Sequence, residues 1–216
     1  MQNSATCRIV VLISGNGSNL QAIIDQINAG LIPAQIVAVI SNKENAFGLQ
    51  RAKNSGIAIE VIANKDHADR AKYDKALAQC IERYQPDLIA LAGFMRILTS
   101  DFVHHFHGKM LNIHPSLLPK FKGLNTHQRA LDNSETQHGA SVHFVTPELD
   151  GGPVIVQSAT NILQNDSAES LAKRVHAIEH NIYPLAISWF SLGRIKLENE
   201  QLTLDGKTLT QPILIE

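Results

Sequence analysis

Cysteine is scarce. Cys7 and Cys80 are the two in 216 residues, and they form neither a C-x-x-C pair nor part of a ligand cluster. That excludes a disulfide framework and a thiolate metal centre, and it suits two packed thiols in a reducing cytosol. Long apolar runs are missing too, all of them far short of the roughly 20 residues that a bilayer span requires. Residues 1–6 carry neither a basic n-region nor an apolar h-region, so the expectation is a cytoplasmic protein with no membrane partner. Nor does charge of one sign dominate: 19 Lys+Arg stand against 20 Asp+Glu, a net charge of -1. There is no broad basic footprint for nucleic acid, whereas a small anionic substrate stays open. What the chain does have is apolar content, 44% of residues against 18% charged, enough to bury one full core. With no repeat, linker or low-complexity stretch, residues 1–216 read as a single domain.

Short β-branched runs alternate with longer amphipathic ones. Residues 9–13, 36–40, 57–62 and 88–91 read as buried strands, most of them apolar on both faces. Residues 20–29, 46–54 and 68–84 have helical spacing, with Gly30 and Gly56 as helix stops and Pro86 opening the next connection. The alternation predicts an α/β fold with a doubly wound parallel sheet. After about residue 138 the rhythm changes. Residues 140–145 and 154–159 read as an antiparallel hairpin about Asp150-Gly151-Gly152-Pro153, and residues 167–190 as a helix that Pro184 threatens to break. Residues 195–216, with Gly206 between two short alternating runs, read as a peripheral hairpin.

Three places carry chemistry. The first strand runs into Ser14-Gly15-Asn16-Gly17-Ser18-Asn19-Leu20 and a helix follows directly. Amides freed by the glycines and the positive helix end make an anion cradle, with phosphate as the obvious anion. Leu20 stands where the dinucleotide fingerprint wants a third small residue, so an NAD site is disfavoured, and the loop is not a Walker A. The same glycines also suit a turn that merely packs strand against helix. The second place is Asn112-Ile113-His114-Pro115-Ser116-Leu117-Leu118-Pro119. If the strand persists through His114, the amide and the imidazole leave the same face, a pair suited to a developing oxyanion. A strand end whose Asn caps a turn fits that pattern equally well. The third is Asp150, a loop carboxylate able to hold His114 as imidazolium, in a dipeptide that is also a common turn. No Ser or Cys stands in a nucleophile elbow, which favours direct transfer at a polarised carbonyl over an acyl-enzyme. His104, His105 and His107 lack a carboxylate or cysteine partner set, and no metal is expected.

Four blocks taken together resemble a known family: residues 13–20, the segment Leu91-Ala92-Gly93-Phe94-Met95-Arg96-Ile97-Leu98, residues 112–119, and residues 141–153. They look like the glycinamide ribonucleotide formyltransferases of purine synthesis, over about residues 8–193, with 194–216 as a tail. The resemblance implies a Rossmann-like formyltransferase fold, mostly parallel with an antiparallel C-terminal portion. It also implies two small-molecule substrates. A 10-formyltetrahydrofolate donor passes its formyl group directly to the amine of glycinamide ribonucleotide through a tetrahedral intermediate, with no metal and with the protein a monomer or weak homodimer.

Carried onto this chain, the resemblance makes Asn112, His114 and Asp150 catalytic. Gly17, Ser18, Asn19 and Glu179 would hold the ribonucleotide. Arg70, Met95, Arg96, Ile97, Leu98, Asn112, Thr146, Pro147, Glu148, Leu149 and Asp150 would form the folate cleft, with Arg70 near the glutamate tail. Without the resemblance Glu179 reads as an exposed helix charge. Two positions depart from the family pattern: Lys122 stands where a proline is expected, and Pro147 where a polar residue is usual, which predicts a stiffer folate loop. The rivals are methionyl-tRNA formyltransferase, for whose extra RNA-binding domain the chain is too short, a formyltransferase acting on an amino-sugar nucleotide, and a catalytically silent folate- or nucleotide-binding regulator.

Overall fold

A computed structural model describes residues 6–216. The first strand, β1 (Cys7–Ile13), alternates between two cores: Ile9, Val11 and Ile13 face one, Val10 and Leu12 the other. This is why residues 9–13 are apolar at every position, since helices cover both faces of the sheet. Beyond β1 the chain forms α1 (Ser18–Asn28), β2 (Ala34–Ser41), α2 (Phe47–Asn54), β3 (Ile59–Val61), α3 (Arg70–Arg83), β4 (Leu88–Leu91), α4 (Ser100–His105) and β5 (Met110–His114). Then come α5 (Thr126–Asp132), β6 (Gln137–Phe144), β7 (Val154–Asn161) and α6 (Ala168–Ser191). The tail supplies β8 (Ile195–Glu198), β9 (Gln201–Leu204), β10 (Lys207–Thr208) and β11 (Ile213–Ile215).

Eight strands form one sheet in the order β11-β7-β6-β5-β4-β1-β2-β3, in which β6 alone runs against its neighbours. Leu20, Ile23, Leu49, Val175 and Ile187 bring α1, α2 and α6 onto one face, and Tyr73, Leu77, Phe102 and Val103 bring α3 and α4 onto the other. The strand order reverses between β1 and β4, so the crevice beyond their carboxyl ends is where an open α/β sheet places ligands.

Two sequence expectations need correction, and two helices are additional to them. The helix at Pro184 does not break: α6 runs unbroken for 24 residues and buries Pro184 together with Ile182, Tyr183, Ala186 and Ile187. The packing of that apolar face offsets the cost of a proline in a helix interior, about 3 kcal/mol for the lost bond and ring clash together. Nor is the tail one peripheral hairpin. Asn199 and Glu200, both at positive φ, turn β8 into β9, Asp205-Gly206 turns β9 into β10, and β11 then adds parallel to β7 as an edge of the main sheet. Lastly, α4 and α5 went unread, being 6 and 7 residues long, too short for apolar periodicity to stand out.

Candidate active site

The turn after β1 is built from backbone. Gly17 occupies the N-cap of α1 at φ 73°, ψ 32°, where it supplies no side-chain cap, and no acidic residue occupies the first helical turn. The leading amides of α1 are therefore left for a ligand. A Cβ on Gly17 would lie 2.7 Å from the Cα of Gly48, so the glycine serves both the left-handed backbone and the close approach of α2. Asn19 is buried. Its Nδ2 donates to Glu179 Oε2 at 2.8 Å, while its Oδ1 has no partner among the described residues. Glu179 thus lies buried beside the turn on α6, contrary to an exposed helix charge. Burial pushes its carboxyl above the usual range, while Asn19 and His176 oppose that shift.

At the centre of the sheet, β5 does persist through His114. His114 Nε2 donates to the Phe121 carbonyl at 3.0 Å, and Nδ1 lies 3.4 Å from Asp150 Oδ2, both side chains being under a tenth exposed. Each imidazole nitrogen therefore faces an oxygen acceptor. Asp150 is itself held in place, at φ 47°, with Oδ2 accepting from the Gly123 amide at 2.8 Å.

Sequence reasoning missed His143. The antiparallel register of β5 and β6 sets it opposite Asn112, and its Nδ1–H donates to the carbonyl of Phe144 at 2.9 Å. Burial lowers its pKa to about 4, so the ring is neutral and Nε2 carries a lone pair. That lone pair takes a hydrogen bond from Asn112 Nδ2 at 3.1 Å, fixing which end of the amide faces the histidine. The signal was the hairpin itself: pairing residues 140–145 with β5 would have put one side chain of Ser141-Val142-His143 across from Asn112. From the core, the buried Tyr183 hydroxyl lies 3.0 Å from the carbonyls of both Leu91 and Leu111, tying α6 to the two strands beneath the site.

Beside Asn112 opens a cleft of about 110 Å³. Of the expected folate residues, Arg96, Ile97, Leu98, Asn112, Thr146, Pro147, Glu148, Leu149 and Asp150 line it, joined by an apolar wall of Leu91, Phe94, Val103 and Val145 and by His143. Arg70 and Met95 do not line it. Arg70 donates to the Leu98 carbonyl, and the Met95 amide donates to Ser14 Oγ at 2.8 Å, so both hold residues 95–98 in place. The clustered histidines disperse: His104 pairs with Ser100, His105 with Glu82 and His107 with Glu200. Among the described residues, no group of three His, Cys, Asp or Glu could hold a metal ion.

The sequence profile of the formyl transferase family matches residues 7–187. The chain belongs to that family. This formyl transferase is 53% identical to the phosphoribosylglycinamide formyltransferase of Escherichia coli strain K12 over 201 residues, 93% of this chain and 95% of that one. It is 45% identical to the human trifunctional purine biosynthetic protein adenosine-3 over 190 residues, 88% of this chain and 19% of the human protein. The solved phosphoribosylglycinamide formyltransferase of Coxiella burnetii superposes with a TM-score of 0.93 at 50% identity, covering 97% of this chain and 99% of that one.

The two positions expected to depart from the family pattern fall at the mouth of the cleft. Lys122 reaches Glu148 at 2.7 Å and so joins the loop after β5 to the loop after β6. Pro147, beside Glu148, is exposed on the second of these loops. Among the described residues no helix is long and apolar enough to cross a membrane.

Proposed function

We propose that this formyl transferase carries out the purine-synthesis step in which the formyl group of 10-formyltetrahydrofolate passes to the primary amine of glycinamide ribonucleotide. One observation carries the reading: the glycine turn and the Asn112–His114–Asp150 group sit along one carboxyl edge of the sheet, with the half-apolar cleft beside them. The whole-length likeness to relatives of that name supports it. The cleft suits a flat ring, since its wall is apolar and its rim brings Asn112 and the loop backbone of 146–150 within reach.

The amine attacks the formyl carbon, and negative charge develops on the formyl oxygen of the tetrahedral adduct. Asn112 has one amide N–H engaged by His143 and the other available for that oxygen. His114 supplies the second donor through Nε2, whose proton is held by the Phe121 carbonyl until the oxyanion takes it over. Asp150 supports the charge on the ring from the Nδ1 side and moves protons through water as the folate nitrogen departs. The turn at Gly17, Ser18 and Asn19 holds the acceptor's phosphate, and Glu179 its ribose or glycinamide end. Fixing both substrates in line makes the attack effectively intramolecular. The test is formyl transfer to glycinamide ribonucleotide, followed by absorbance of the folate product. Turnover supports the reading, and folate binding without turnover redirects it to another amine.

A further inference from the structure

The phosphate turn carries little of its own rigidity. Gly15 and Gly17 have no side chains, Gly17 offers no cap, and Asn16 between them is exposed. What braces the turn comes from α2. The Gly48 amide donates to the Gly15 carbonyl at 3.0 Å, and the two helices approach where Gly48 meets Gly17. One helical turn further on, Arg51 closes on the same loop. Its Nε donates to the Asn16 carbonyl at 2.9 Å, Nη2 to Asn16 Oδ1 at 3.1 Å and Nη1 to Gln21 Oε1 at 3.3 Å. The exposed ring of Phe47, four residues back on the same helix face, lies 5.0 Å from the guanidinium carbon. An arginine fork thus grips one residue by backbone and side chain together, in the middle of the segment whose amides face the ligand.

We infer that Arg51 is a positioning residue for the acceptor's phosphate: its fork on Asn16 holds the turn so that the amides of Gly17, Ser18 and Asn19 converge on the anion. The inference rests on reading that turn as the phosphate site of the acceptor. A lysine keeps the charge but not the planar fork, so it does not substitute.

The experiment compares wild type with Arg51→Met and Arg51→Lys on three readouts. For glycinamide ribonucleotide, KM rises about tenfold in both variants, the factor that loss of one charge-assisted hydrogen bond brings. Both kcat and the KM for the folate donor stay within about twofold of wild type. For the phosphate-free glycinamide riboside, kcat/KM is the same in all three proteins, which a general loosening of the fold would not give. Calorimetric binding of ribose 5-phosphate weakens by the same factor as KM in both variants, and this arm needs no formyl transfer. If the variants bind ribose 5-phosphate about tenfold more weakly than wild type, while none turns over glycinamide ribonucleotide, the proposed reaction falls and the role of Arg51 stands. Unchanged ribose 5-phosphate binding in Arg51→Met, full rescue by Arg51→Lys, or an equal loss with the riboside overturns the inference.

Discussion

The two ends of the site are made of different materials. Around Gly17 the surface offered to a ligand is mostly main chain, held by a contact between two glycines and by bonds reaching in from α2. Around His114 it is side chain, with Asn112, His114, His143 and Asp150 each held by a named partner, two of these being loop backbone groups, the Phe121 carbonyl and the Gly123 amide. A backbone site tolerates no added atom, whereas a side-chain site tolerates substitution structurally and fails chemically. Substitutions at the two ends should therefore break different quantities.

The largest effect belongs to the side-chain end. In His114→Ala, kcat should fall by about 10² to 10³ or more, the scale of losing one oxyanion donor, while both KM values move little. The purified variant should unfold at a denaturant midpoint close to wild type. A fall in affinity with turnover preserved would move His114 out of the reacting centre.

At the backbone end the order reverses. A methyl group on Gly48 would lie 2.5 Å from Ile13 Cδ1 and 3.2 Å from the Cα of Gly17. Gly48→Ala must displace the Ile13 methyl end and ease α2 slightly away from the turn, at a stability cost of about 1–3 kcal/mol as for other overpacked sites. Thermal unfolding should show it, together with a raised KM for the acceptor and a kcat near wild type. If kcat fell as far as in His114→Ala, the two ends would not be separable in this way.

This contrast also explains what could be read from sequence. Backbone sites advertise themselves locally: Gly15, Gly17 and the helix start at Ser18 are adjacent, and so are Asn112 and His114, which share a strand face. Strands such as 9–13 and 88–91 were legible because burial on both faces leaves continuous apolar runs. Long-range partners left no local trace. His143 meets Asn112 only through the β5–β6 register, Arg51 meets Asn16 only because two glycines let α2 approach, and the burial of Glu179 depends on the packing of α6 against α1. The tail misled for the same reason, since the pairing of β11 with β7 is decided by the open sheet edge and not by residues 213–215.

A smaller and slower-varying effect should appear with pH. Burial lowers the pKa of both His143 and His127 to about 4, and it lowers those of His138 and His180 as well. As pH falls below about 6.5, these imidazoles take up protons in the unfolded chain but not in the folded one, so stability declines from there towards pH 4 and is level above. Glu179, raised by burial, tilts the other way, one group against four. Denaturant midpoints at pH 7.5, 6 and 5 should fall in that order, and His127→Asn should flatten the trend. A midpoint independent of pH across that range would mean the imidazoles are not held neutral.

The smallest effect sharpens the comparison, because it concerns the loops that bring the side-chain end together. Lys122–Glu148 is an ion pair at 2.7 Å, with Glu148 largely exposed. Such a pair is worth roughly 0–1 kcal/mol and weakens with salt. Its position matters more than its strength. Lys122 lies next to Gly123, whose amide holds Asp150, and Glu148 lies two residues before that carboxylate. Lys122→Met should leave the melting temperature within a degree or two while modestly raising KM for the folate donor, and the wild-type value should drift towards that of the variant as salt increases. A salt-independent wild type, or a change confined to the acceptor, would mean that the loop after β6 is held by Pro147 and the backbone alone, making the folate side of the cleft resemble the glycine turn more than the comparison allows.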